Sequence, residues 1–119
     1  MSNKQTTIKK SISLEGVGIH TGNQVKLTFM PAPADSGYIF KRIDLKNKPE
    51  IEALAKFVVD TQRGTTLEKD GVKLKTVEHV LAALVGLEID NVHIEINGEE
   101  PPIMDGSSKF FVEALENAG

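Results

Sequence analysis

Apolar and polar residues alternate along much of this chain, and the period changes where the elements change. Val25, Leu27 and Phe29 alternate with Lys26, Thr28 and Met30, the pattern of a half-buried strand that Pro31-Ala32-Pro33 ends. Asp35-Ser36-Gly37 then turns the chain, and residues 38–43 read as the returning strand of a hairpin with a longer loop. Upstream, residues 7–14 alternate loosely, as a strand, and lead into Gly16-Val17-Gly18-Ile19-His20-Thr21-Gly22. Three glycines at alternating positions mark a backbone that turns tightly or passes close to another group. Thr65-Thr66-Leu67 and Val72-Lys73-Leu74 flank Asp70-Gly71, the strongest short hairpin signal in the chain. Residues 91–97 set Val92, Ile94 and Ile96 against His93 and Glu95, a strand with one face on the core, closed by Glu99-Glu100-Pro101-Pro102.

The helical period is clearest after Thr76, whose hydroxyl can cap a first turn: Val77, Val80, Leu81 and Leu84 share one face and Gly86 supplies a stop. A second helix follows Asp105-Gly106-Ser107, with Asp or Ser as cap and Phe111, Ala114, Leu115 and Phe110 on its inner face. Residues 51–59 fit both periods, and propensity leans slightly to helix. Several strands interleaved with two amphipathic helices predict an α+β fold, a two-layer sandwich with the helices on one face of a mainly antiparallel sheet. The other face then needs a partner or polar side chains. With no internal repeat and only short turns between elements, residues 1–119 read as a single domain.

Composition narrows the class. Apolar residues at 39% and charged residues at 26% describe an ordinary globular domain. The absence of any long apolar run or apolar N-terminal block predicts no transmembrane segment, no secretory signal and a cytoplasmic location. There is no cysteine, so His and carboxylate are the only strong metal ligands. A net charge of -3 with scattered Lys and Arg offers no track for a phosphate backbone, so no nucleic-acid partner is expected; Lys9-Lys10 and Lys41-Arg42 read as solvated strand faces.

Candidate chemistry rests on three histidines and their neighbours. His93 lies in a clean strand pattern and reads as structural, while His20 sits among loop glycines that can present it to a ligand. Glu78 and His79 are adjacent in the first turn of the first helix, where both side chains can reach the helix end and share one site. The helix dipole there favours Glu78 or an anionic substrate and opposes a cation, so a metal needs further acidic ligands. On spacing alone the signal is weak and favours the plainer reading, Glu78 as a charge at the helix N-terminus and His79 as a residue of the helix surface. Asp105 reads as a cap, since Ser107-Ser108 and Phe110-Phe111 follow it.

Six strings in order, Gly16-Val17-Gly18-Ile19-His20-Thr21-Gly22, Pro31-Ala32-Pro33-Ala34, Asp60-Thr61, Thr76-Val77-Glu78-His79, Ile89-Asp90-Asn91 and Pro102-Ile103-Met104-Asp105-Gly106-Ser107, span nearly the whole chain. Together they resemble the N-terminal domain of the UDP-3-O-acyl-N-acetylglucosamine deacetylase family of lipid A biosynthesis. That resemblance implies a zinc-dependent amide hydrolase that removes acetate from a UDP-linked acylated amino sugar, with two similar α+β domains facing each other across the active site. Carried over, His79 matches a Zn2+ ligand, Glu78 the general base, and His20 and Thr61 substrate-binding positions. The remaining ligands and catalytic groups belong to the C-terminal half, so the zinc site in this chain is incomplete and the chain alone is expected to be inactive. The string Asp60-Thr61-Gln62-Arg63-Gly64-Thr65-Thr66 departs from some relatives in being polar, which implies a different shape at the lip of the cleft.

The resemblance further implies a strand before Asp60, so residues 51–59 are expected to be extended despite their helical periodicity. It implies apolar surface normally covered by the other half, and self-association of the fragment. Two other functions remain open: a non-catalytic binding module of the same fold, using the His20 loop or the exposed sheet, and an RNA-binding domain. Five phenylalanines, one tyrosine and an acidic balance make a poor stacking platform and disfavour the second.

Overall fold

A computed structural model of the chain describes residues 5–60, 64–104 and 106–119. The strands are β1 (Ile12–Val17), β2 (Gln24–Pro31), β3 (Tyr38–Arg42), β4 (Glu50–Glu52), β5 (Val58–Asp60), β6 (Thr66–Lys69), β7 (Val72–Leu74) and β8 (Val92–Ile96). The helices are α1 (Glu78–Gly86) and α2 (Lys109–Asn117). Strands β1-β2-β8-β3-β4 form one sheet and β5-β6-β7 a second, all pairs antiparallel except β3 with β8. The fold is α+β.

Register explains how the larger sheet makes a core. Ile12, Phe29, Ile94, Phe40 and Ile51 stand opposite one another from strand to strand, forming an apolar row across all five. Leu14, Leu27 and Ile96 form the next row on the same face. The helices close this face: Val80, Ala83 and Leu84 of α1 and Phe111 and Leu115 of α2 are buried in the same cluster as those strand residues. The Phe111 ring meets Phe29 edge to face, with centroids 6.4 Å apart. Leu67 and Leu74 bring the smaller sheet into the cluster. The opposite face is polar, with Ser13, Thr28, Glu95, Lys41 and Glu50 in one row and a Ser13–Thr28 hydroxyl contact of 2.8 Å. The next row on that face is mixed, with Met30 and Ile39 on either side of His93.

Several expectations are corrected. Strands β2 and β3 do not pair; β8 lies between them and runs parallel to β3. The cause is local to Asn91, whose buried side chain accepts from the Gly37 N–H at 2.9 Å while the Val92 N–H donates to the Gly37 carbonyl at 3.0 Å. The end of the loop between β2 and β3 is thus stitched to the start of β8. Strand β1 begins later than residue 7 and takes in Gly16 and Val17, because Thr6 is engaged elsewhere: its carbonyl accepts from the Asp90 and Asn91 N–H groups at 3.0 Å.

Residues 50–60 form β4, a single 3-10 turn at Ala55–Phe57 and β5, so strand pairing overrides the helical period apart from that turn. The Asp70-Gly71 hairpin forms as expected, both residues having positive φ (52° and 81°). Thr76 does not cap α1; its φ is +57° and its hydroxyl is committed to Glu100. Nor does Gly86 supply the left-handed stop, since Glu88 takes that conformation at φ 57° and the Ile89 N–H closes the helix end on the Leu84 carbonyl at 3.0 Å. At the start of α2 the Ser107 hydroxyl accepts from the Lys109 N–H at 3.2 Å, whereas Asp105 lies outside the described residues. Among the described residues no helix is long and apolar enough to cross a membrane.

Candidate functional site

The glycine-rich loop after β1 folds around one buried carboxylate. Glu100 Oε1 accepts the N–H groups of His20 (2.8 Å) and Thr21 (3.1 Å), and Oε2 accepts the Thr76 hydroxyl (2.6 Å) and lies 2.6 Å from His20 Nδ1. Gly18 passes so close that a Cβ there would stand 2.6 Å from Glu100 Oε1 and from Thr21 Oγ1, which accounts for this glycine. Gly16 is similarly confined, with Pro102 Cβ 2.9 Å from where its own Cβ would be. Burial pushes the Glu100 carboxyl up, but hydrogen bonds from Thr76, from His20 and from the His20 and Thr21 N–H groups outweigh it and leave the group below the usual range.

Backbone pairing brings this loop to the start of α1. The Lys75 N–H donates to the Glu99 carbonyl at 2.7 Å, and the Ile103 N–H to the Val17 carbonyl at 2.8 Å. Residues 75–76 and the end of β1 therefore both flank residues 99–103, and Thr76 Oγ1 comes within 3.1 Å of His20 Nδ1. Two residues further on, Glu78 and His79 open α1, each about one-third exposed, with Oε2 and Nε2 4.0 Å apart. The Thr65 N–H donates to Glu78 Oε1 at 2.9 Å, and the Val77 N–H returns a bond to the Thr65 carbonyl at 3.1 Å. The carboxylate is thereby aimed with one oxygen held and the other toward His79.

Three of the four expected site residues thus fall along one connected stretch, His20, Glu78 and His79, joined through Thr76. Thr61 lies outside the described residues. His93 is on the polar face of β8, opposite Met30, away from the core row. The Lys41-Arg42 pair is not a solvated face: Arg42 is buried, its guanidinium held by Asp44 at 2.7 and 2.9 Å and by the Lys73 carbonyl at 2.8 Å. That bond to Arg42, over the opposing effect of burial, holds the Asp44 carboxyl below its usual range. Glu100 is the residue that sequence reasoning missed. A glutamate between a strand end and two prolines looks like a polar turn, and the only sign of it was indirect, in glycines that demanded a close neighbour.

Among the described residues no group of three His, Asp or Glu side chains could hold a metal ion. A catalytic zinc takes about three protein ligands. One imidazole and one adjoining carboxylate are too few, so these residues do not make a metal centre by themselves.

The Glu78–His79 pair at the start of α1 and the His20 loop are thus placed together in an α+β domain. The sequence profile of the UDP-3-O-acyl N-acetylglycosamine deacetylase (LpxC) family matches residues 5–119, and the chain belongs to that family. It is 56% identical over 115 residues to a bifunctional LpxC/FabZ enzyme of Chlorobaculum tepidum, covering 97% of this chain and 25% of that protein. It is 52% identical over 116 residues to a UDP-3-O-acyl-N-acetylglucosamine deacetylase of Saccharophagus degradans and 50% identical over 118 residues to one of Myxococcus xanthus, covering 38% of each. The chain thus spans between a quarter and two-fifths of the length of these relatives.

Proposed function

We propose that this chain is the N-terminal domain of a cytoplasmic deacetylase of lipid A biosynthesis that hydrolyses the acetamide of a UDP-linked, 3-O-acylated N-acetylglucosamine. The observation that carries the reading is the Glu78–His79 pair at the open start of α1, with Glu78 aimed by the Thr65 N–H, in a chain of this family. In this reading Glu78 is the general base: it takes a proton from the water that adds to the amide carbonyl, and that proton then passes to the departing nitrogen. Acetate and a free amine result. His20 and Thr61 contact the substrate.

His79 would supply one ligand to a zinc ion, with the remaining ligands supplied by a second domain. A zinc ion so held would lower the pKa of bound water and polarise the carbonyl oxygen. Base and ligand fail differently, and that difference tests the reading. In the full-length enzyme His79→Ala should lose metal and turnover together. Glu78→Ala should keep its zinc and lose about 10²–10⁴-fold in kcat. Zinc content and initial rates for both variants decide it; a zinc-free Glu78→Ala enzyme, or an active His79→Ala enzyme, overturns the assignment.

A further inference from the structure

Glu100 has the burial of a core residue, and its hydrogen bonds among the described residues come from His20, Thr21 and Thr76 rather than from a Lys or Arg: its side chain is 0% exposed, while that of His20, its ionisable neighbour, is 43% exposed. A buried carboxylate is costly unless hydrogen bonds replace its water. Here four donors do so, and every one belongs to the His20 loop or to Thr76.

The arrangement dictates which ring nitrogen of His20 carries a proton. Oε2 of Glu100, 2.6 Å from Nδ1, is an acceptor. Thr76 Oγ1, 3.1 Å from Nδ1, has spent its own hydrogen on Glu100 and can only accept. Both neighbours of Nδ1 therefore require a donor there. In the neutral imidazole that leaves Nε2 as a bare acceptor on the exposed side of the ring.

We propose that Glu100 is a positioning residue: together with Thr76 it locks His20 in the Nδ1–H form and turns Nε2 outward to accept a hydrogen bond from an O–H or N–H group of the substrate. The role rests on the reading of the His20 loop as part of the substrate site. The carboxylate also ties the loop to Thr76, two residues before Glu78 and three before His79, so the orientation of His20 is linked to the segment that leads into α1.

The test is Glu100→Gln in the full-length protein, read by the ¹⁵N shifts of the His20 ring and by steady-state kinetics. The two backbone N–H groups will keep the amide oxygen at the Oε1 position, which turns the NH2 toward Nδ1 and forces the proton to Nε2. The expected result is an Nδ1–H ring in the wild type and an Nε2–H ring in the variant, with kcat/KM lowered about 10–100-fold, as for other groups that orient a site histidine. An Nε2–H ring in the wild type overturns the proposal without need of any variant, and so does an unchanged ring in a folded Glu100→Gln protein. The kinetic loss should vanish when Glu100→Gln is added to His20→Ala; an equal loss in both backgrounds shows a role in the fold alone. Wild-type activity in His20→Ala, with the wild-type ring found as Nδ1–H, overturns instead the placement of substrate at this loop.

Discussion

Gly64 lies against the carboxylate of Glu78: a Cβ at residue 64 would stand 2.9 Å from Oε2 and 3.1 Å from Oε1, at a φ of +103°. Glycine here is required twice, by the backbone conformation and by the space the carboxylate occupies. Gly64→Ala should therefore cost about 1–3 kcal/mol of stability from backbone strain. It should also displace Glu78 from the Thr65 N–H, so that kcat falls more than substrate affinity. Urea denaturation beside steady-state kinetics of the full-length enzyme measures both. A variant as stable and as active as the parent would show that neither constraint matters.

Glu100 and Asp44 contribute to the acid sensitivity of the fold, beside the more exposed Glu52, which its bond to Lys69 also holds below the usual range. Glu100 is pushed up by burial and pulled down further by its four hydrogen bonds, and Asp44 is pulled down chiefly by its bond to Arg42. Both bind a proton more weakly in the folded protein than in the unfolded chain. Their contribution to stability is thus complete above the unfolded-chain values of about 4 and is lost as pH falls through the lower folded values. Unfolding free energy measured from pH 7 downward should hold near neutrality and fall below about pH 4, and Glu100→Gln should flatten part of that fall. Stability that rises on acidification would contradict the assignment of both groups.

Much of this was legible in the sequence because burial and period coincide. The alternation at Val25, Leu27 and Phe29 and at Val92, Ile94 and Ile96 marks buried faces of strands, and those residues are fully or almost fully enclosed. The order of strands was not legible, because pairing depends on contacts distant in the chain: the bond from the Gly37 N–H to Asn91 spans 54 positions and leaves no periodic trace. Arg42 and Glu100 were hidden for a related reason. Each is a charged residue in a polar-looking stretch, and only the tertiary arrangement supplies the partners that make burial tolerable. His20, Glu78 and His79 were visible as candidates through their local setting, whereas the Thr76–Glu100 link that joins them was not.

Large apolar side chains are exposed on several elements, Val85 of α1 most of all. Ile19 in the glycine loop and Val59 in β5 are 57% and 56% exposed, with Val17, Leu54 and Val58 near them in sequence. Exposed side chains of this size favour association. The 119-residue chain should therefore show a concentration-dependent sedimentation coefficient. The double substitution Ile19→Lys and Val59→Lys should shift it toward monomer, since both sites are exposed and add charge without opening the core. A strict monomer at high concentration before any substitution would remove the ground for this expectation.

The same 119 residues, separated from any second domain, are expected to bind zinc weakly and to hydrolyse no amide. His79 offers one imidazole, Glu78 is 4.0 Å away with one oxygen already engaged by the Thr65 N–H, and no third His, Asp or Glu joins them among the described residues. Tight catalytic sites close about three protein ligands on the ion, and each missing ligand removes both binding free energy and the rigidity that fixes the open position. The dipole of α1 adds to the difficulty, because its positive end faces the cation. Titration with zinc followed by calorimetry should show weak binding that His79→Ala abolishes, and the isolated chain should leave the acetylated substrate intact. Stoichiometric, tight zinc with measurable release of acetate would mean that the described residues suffice, and the two-domain account of the site would fall with it.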